Sequence, residues 1–287
     1  MRDARSQRAD TATAIRDPSA EPARGSRRPA YTRLQVLGLL LIAGTGLAVT
    51  AAIIMTEPRL AGEVLVFFGP VAAVTLLAAW LAWRYGAWAR AVAVIVGAAA
   101  AVLLSWTATA LSHPQSVVDF GLGLGVATGV VLTVGGGIAA LVAGRRGRVA
   151  TERTSVERRL TRGVAVALGV ALAASAVLTL AGRSTVDPAE TAGAIPVEMA
   201  GFEFRPAEIH LDGPDGRLVV RNADVFLHDL SIPALDTGIV QITPGSTVVV
   251  ELTGAAAGTY VVYCTLHSDL SADQPGDEDM TALLVVR

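Results

Sequence analysis

The chain has 287 residues, 52% of them hydrophobic and only 17% charged, with a formal net charge of −2 and one cysteine. Soluble domains carry about 25% charged residues, so the composition argues against a wholly soluble protein, and one cysteine rules out an intrachain disulfide. The small net charge hides a division: from Ser184 onward there are 16 acidic residues against 4 Arg, and before it 19 Arg against 9 acidic residues. Such a split between halves points to two compartments rather than to a nucleic-acid surface.

Residues 1–33 carry eight Arg against four acidic residues and few large apolar side chains. This composition predicts a disordered, Arg-rich cytoplasmic tail. Leu34–Met55 then runs 22 residues without a charge. At ~1.5 Å per residue that is enough to cross a ~30 Å hydrocarbon core, and too long for a secretory signal core. Four further uncharged runs follow at Val64–Trp83, Ala91–Leu111, Phe120–Gly144 and Gly163–Gly182, giving five expected spans within residues 34–183. Arg-rich connections alternate with Arg-poor ones. Arg84–Arg90 has two Arg and Arg145–Arg162 has seven, whereas Thr56–Glu63 has one and Ser112–Asp119 has none. The positive-inside rule then places the N-terminus in the cytoplasm and the C-terminus outside. Trp80, Trp83, Tyr85 and Trp88 form an interfacial aromatic belt.

The span interiors hold no His and no ionisable side chain, so the bundle reads as an anchor or docking platform and not as an ion pathway. Gly121, Gly125 and Gly129 recur at four-residue spacing, which suits close helix packing. Pro70 is a candidate kink, Ser105, Thr107 and Thr109 could line a cavity, and His113 in a short outer loop could approach a centre above it. Beyond Arg183 the pattern changes. Ser184–Gly193 reads as a polar tether. Residues 194–287 then break into about eight short alternating segments, separated by turns such as Asp212–Gly216 and Thr243-Pro-Gly245. These are Val197–Ala200, Phe202–Phe204, Glu208–Leu211, Arg217–Arg221, Phe226–Ile232, Ser246–Leu252, Tyr260–Cys264 and Thr281–Val286. The expected fold is a membrane α region followed by a soluble all-β unit, an antiparallel Greek-key β-sandwich.

The chemistry lies in this second part. Cys264 ends a β-branched and aromatic run, His267 follows three positions on, and His228 occupies a place where alternation calls for an apolar residue. Each has an ordinary reading alone: a small buried thiol, a solvated loop residue, a satisfied rim imidazole. Together they are the two-His, one-Cys donor set that suits copper, and Met280 is placed to add a weak axial thioether. Gln274 is the alternative axial ligand, because twelve residues separate His267 from Met280. That insert contains Asp269, Asp273, Asp277, Glu278 and Asp279. It reads as a solvated rim, or as a surface for a basic partner or for cationic copper. Met199 is expected in the core and His210 on the surface.

Phe202-Glu-Phe-Arg-Pro206, Asn222-Ala-Asp followed by His228, Thr243-Pro-Gly245, Gly258-Thr-Tyr260, Tyr263-Cys-Thr-Leu-His267 and Met280-Thr-Ala occur in an ordered series. On these residues the segment 195–287 resembles the cupredoxin family, the fold of plastocyanin- and azurin-like blue copper proteins. The resemblance implies one mononuclear type 1 copper, with His228, Cys264 and His267 as equatorial ligands and Met280 as the axial one. One cysteine and four histidines leave no material for a dinuclear or trinuclear copper centre. The expected function is single-electron transfer on the extracytoplasmic face by a bacterial membrane protein that is not an enzyme. The lipid bilayer and a redox or copper-exchange protein, of basic charge if it meets the acidic loop, are the expected partners. Neither nucleic acid nor a small-molecule substrate is expected. Copper capture, delivery or resistance is the alternative, and a metal-free partner-binding module is the second.

Overall fold

The structure is a computed structural model, and it describes residues 31–56, 58–103, 107–146, 154–184, 186–268 and 280–287. Among the described residues seven helices precede the sheets: α1 Thr32–Thr56, α2 Ala61–Arg84, α3 Ala87–Leu103, α4 Thr107–Leu111, α5 Val117–Arg145, α6 Thr154–Ala181 and the short α7 Pro188–Thr191. Among the described residues four segments, Thr32–Met55, Pro58–Arg84, Val117–Arg145 and Ser155–Ala181, are long and apolar enough to cross a membrane.

The third expected span, Ala91–Leu111, is helical on both sides of residues 104–106, which lie outside the described residues. Its helical residues belong to α3 and α4, and Ser105 is one of those outside. Helices also extend past the hydropathy limits, and α6 takes in Arg158, Arg159 and Arg162. Hydropathy marks where lipid can be, whereas backbone hydrogen bonding continues through polar turns. The expected disordered tail falls mostly on residues 1–30, which lie outside the described residues, and α1 already begins at Thr32. The expected tether contains α7, capped by Asp187, whose Oδ1 accepts the Ala189 N–H at 2.8 Å.

The core of the bundle is α1 packed on α2 and α5, with α3 also on α5. The glycine series is packing surface. A Cβ at Gly129 would lie 2.8 Å from the Gly38 carbonyl oxygen, and one at Gly136 would lie 2.8 Å from the Gln35 nitrogen. The α1 and α5 backbones therefore touch, which only glycine allows.

Among the described residues nine strands form the C-terminal part: β1 Ile195–Met199, β2 Phe204–Arg205, β3 Glu208–Leu211, β4 Gly216–Asn222, β5 His228–Leu230, β6 Val240–Ile242, β7 Thr247–Leu252, β8 Gly258–Tyr263 and β9 Thr281–Val286. One sheet has the order β2-β1-β4-β7 and another β3-β9-β8, with β5-β6 as a separate pair. Ser231 and Tyr263 exchange two backbone hydrogen bonds of 2.9 Å, which attach the β5-β6 pair to β8. Alternate residues from both sheets, including Val197, Leu218, Val250, Ile209, Val262 and Leu284, form one buried core.

Two pairings depart from the expected antiparallel arrangement: β1 lies parallel to β4 and β3 parallel to β9. The chain changes sheets between β2 and β3, so these partners are reached by crossover and not by hairpin. β6 was not among the expected strands, and the long run expected at Phe226–Ile232 is a strand only over its central three residues. Met199 is fully buried in the core, and His210 is exposed beside Glu208.

Gly129→Val is expected to force α1 from α5 at a cost of about 1–3 kcal/mol, seen as a lower thermal midpoint of the detergent-solubilised protein. Gly135→Ala, where an added Cβ meets nothing within 4 Å, is expected to leave the midpoint unchanged or slightly raised.

Candidate metal centre

The centre is built where β8 ends. Tyr263 pairs with Thr281 as the last rung of the β8–β9 ladder. Cys264 and Met280 extend it, with the Cys264 N–H donating to the Met280 carbonyl at 3.0 Å. A tight turn brings the His267 N–H to the Cys264 carbonyl at 3.1 Å, and the Met280 N–H to the His267 carbonyl at 3.2 Å. The twelve-residue insert therefore begins and ends at one point, and Ser268 Oγ donates to the Met280 carbonyl at 3.0 Å. Its length does not displace Met280, which is buried. Gln274 and the five acidic residues of the insert lie outside the described residues.

His228 enters from β5, and three potential donors converge. Nδ1 of His228 and Nδ1 of His267 are 3.2 Å apart, and Cys264 Sγ lies 3.7 Å from the first and 3.4 Å from the second. His228 and Cys264 are fully buried and His267 is partly so. A triangle with these edges has its centre about 2 Å from every corner, the bond length of a transition metal to imidazole nitrogen or thiolate. The residues fit a trigonal metal site.

The surrounding polar groups orient the donors. His228 Nε2 lies 3.1 Å from Asp224 Oδ2; a carboxylate only accepts, so Nε2 carries the proton and Nδ1 presents its lone pair. Asp224 also accepts the Phe202 N–H at 3.3 Å. Burial pushes the Asp224 carboxyl up, but hydrogen bonding to His228, the imidazole charge and backbone N–H groups outweigh it, leaving the carboxyl below its usual range. Asn222 braces the same loop, donating from Nδ2 to the carbonyls of Phe226 at 2.9 Å and Ile242 at 2.8 Å, while its Oδ1 accepts the Asp224 N–H at 2.9 Å. Asp229 holds the cysteine loop: its carboxylate accepts the Thr265 N–H and Oγ1–H, both at 2.6 Å, and its own N–H points at Cys264 Sγ from 3.4 Å. The Phe202 ring stands edge-on to both His228 and His267.

A family model described as a cupredoxin-like domain matches residues 166–273. The C-terminal part of the chain is a cupredoxin-like domain. Among solved structures, it is similar to a mutant of amicyanin in the reduced state at 19% identity, covering 33% of this chain and 84% of that one, with a TM-score of 0.25. An oxidised amicyanin mutant is 23% identical over 37% of this chain and 93% of that one, TM-score 0.25. A copper-containing nitrite reductase from Thermus scotoductus SA-01 is 19% identical over 37% of this chain and 27% of that one, TM-score 0.25. No curated protein matches the chain.

Of the four expected ligand residues, the cupredoxin-like domain brings His228, Cys264 and His267 into one cluster, with Met280 joined to two of them through its backbone. His113 lies outside the cluster. Its Nδ1 is 2.8 Å from the Thr109 carbonyl and its Nε2 3.0 Å from Gln241 Nε2, though it shares a cavity with His267. Asn222, Asp224 and Asp229 were not singled out for roles from the sequence. The available signal was three polar side chains crowded around a strand that buries all its residues.

Burial pushes the Cys264 thiol up to about 12, so without metal it keeps its proton. Burial, and then the neighbouring His228 charge, push the His267 imidazole down to about 3, so it stays neutral and ready to ligate. Metal uptake must therefore release the thiol proton and none from His267. Apparent copper affinity is expected to rise at least about tenfold per pH unit as pH is raised toward 8, measured by competition with a chelator of known affinity and corrected for the chelator's own protonation. Asn222→Ala removes the side-chain donor shared by the Phe226 and Ile242 carbonyls and the acceptor of the Asp224 N–H, and is expected to cost about 2 kcal/mol or more, read as a lower thermal midpoint of the metal-free protein.

Proposed function

We propose that the protein is a membrane-anchored mononuclear copper protein that exchanges single electrons, with His228, Cys264 and His267 as equatorial ligands and Met280 as the weak axial one. The observation that carries this reading is the donor triangle, held with the His228 tautomer already set by Asp224. Copper, when bound, supplies one-electron exchange between its two oxidation states. Both imidazoles would hold it in neutral form, Cys264 as thiolate, and the Asp229 N–H directed at Sγ would draw electron density from the sulfur. Ligands braced by Asn222, Asp224 and Asp229 have little to rearrange when the charge of the site changes.

Burial of His228 and Cys264 supports an electron carrier over an enzyme that turns substrate over at the metal, and over a carrier that readily hands copper on. The Arg distribution supports a domain outside the membrane. Arg84, Arg90, Arg145, Arg146 and Arg158 lie at the bundle end away from the domain, whereas the domain meets the ends of α1, α4 and α5 near Ile53, Ala110 and Asp119.

Full-length protein loaded with Cu(II) is expected to show an intense blue thiolate-to-copper band that bleaches on reduction and returns on oxidation. Cys264→Ser is expected to lose the band entirely. A colourless copper-loaded protein, or colour that survives the substitution, overturns the reading.

A further inference from the structure

The His267 edge of the domain does not face open solvent. It is turned onto the helix bundle, and the two parts are fastened together. Phe226 packs in one buried cluster with Val49 of α1 and Leu122 of α5, and Phe202 packs against that cluster. Asp119, in the first turn of α5, accepts the Leu227 N–H at 2.8 Å and the Ser116 hydroxyl. Arg59 forms an ion pair with Glu203 at 2.8 Å.

Between the two parts lies a cavity of about 430 Å³, within the range of small-molecule sites. Its walls are mostly apolar, from Val49, Ile53, Phe68 and Leu122 on the helices and Phe202, Phe226 and Leu266 on the domain. Polar groups enter at a few points: Asp119, His113, Thr109 and His267. With Nδ1 turned to Cys264 and His228, the His267 ring leaves its other edge, with Nε2, for the cavity. A molecule in the cavity would thus be separated from the donor cluster by one imidazole.

We propose that this cavity binds the head group of a lipid-soluble hydroquinone or its quinone. The proposal rests on the one-electron reading of the site for the choice of a redox-active ring. Three features point to that occupant. The bundle covers the ligand edge that a soluble protein would otherwise touch. The cavity lies at the ends of apolar helices, and the α2 face beside Phe68 exposes Leu65, Val66 and Phe67, a surface of the kind that lipid covers. A flat aromatic ring with hydroxyl or carbonyl groups at its edges suits apolar walls with isolated hydrogen-bonding groups, a carboxylate on the bundle and an imidazole on the domain. This occupant departs from the expectation of a protein partner and no small molecule.

Binding is tested on the metal-free full-length protein in detergent micelles by calorimetric titration with a decyl-benzoquinone. The outcome is then independent of whether the metal site works as an electron carrier. Saturable binding of one molecule per chain is expected. Thr109→Trp, an exposed position that places an indole in the cavity, is expected to weaken it about tenfold or more. Leu122→Trp is a second way of filling the same space. Val166→Trp, on the exposed face of α6, is expected to bind as the parent does. Decanol, which has the chain without the ring, is expected not to compete. Non-saturable partition, equal binding by a monodisperse and equally heat-stable Thr109→Trp protein, or competition by decanol overturns the proposal, the last showing an adventitious additive only.

Discussion

The centre depends on how the loop from Asn222 to His228 is held. His228 sits in a position with no solvent, so its ring must find a partner for each nitrogen or bear the cost of an unpaired buried group. Asp224 supplies one partner at 3.1 Å, which leaves the other nitrogen facing Cys264 and His267. Asp224 is itself buried, and it is held by the Asn222 side chain and by the Phe202 N–H. Asn222 in turn satisfies carbonyls on both sides of the loop. A single chain of hydrogen bonds therefore sets the tautomer, the ring orientation and the path of the backbone.

The second support is the β8–β9 ladder. Strand pairing runs to Tyr263 and Thr281, and the next two residues in register are Cys264 and Met280. Placing a cysteine at one strand end and a methionine at the other makes their proximity a consequence of sheet register. The residues flanking the insert, His267, Ser268 and Met280, are tied to one another through the backbone. Asp229 then links this ladder to β5 through Thr265, so the cysteine loop and the His228 strand form one unit.

The helices do more than carry the domain. α1 and α5 approach at Gly38, Gly129 and Gly136, and their ends nearest the domain reach Phe202, Phe226 and Leu227. The apolar rim around His267 is thus buried against helices of the same chain. A lone anchoring helix would leave that rim exposed as an apolar patch. This covering gives a physical reason for several apolar helices where one would suffice to tether the domain.

Hydropathy alone gave the order of the two parts and the long apolar helices, because lipid and water partition side chains by composition. The alternation after Ala194, and a Cys and two His in ordered positions, made the sandwich and its His-Cys-His group legible, since those residue types have few other reasons to occur there. Parallel pairing of β1 with β4 and β3 with β9 was not legible, because crossovers depend on contacts distant in sequence. Nor were the roles of Asn222, Asp224, Asp229 and Asp119: a polar side chain in a sequence carries no mark of the partner it meets. Residue chemistry by itself determined that one metal site could exist, and which donors could build it. Only the tertiary structure decided that the donors meet within 3.7 Å and that His267 faces the bundle, because distance and burial arise when separate segments pack.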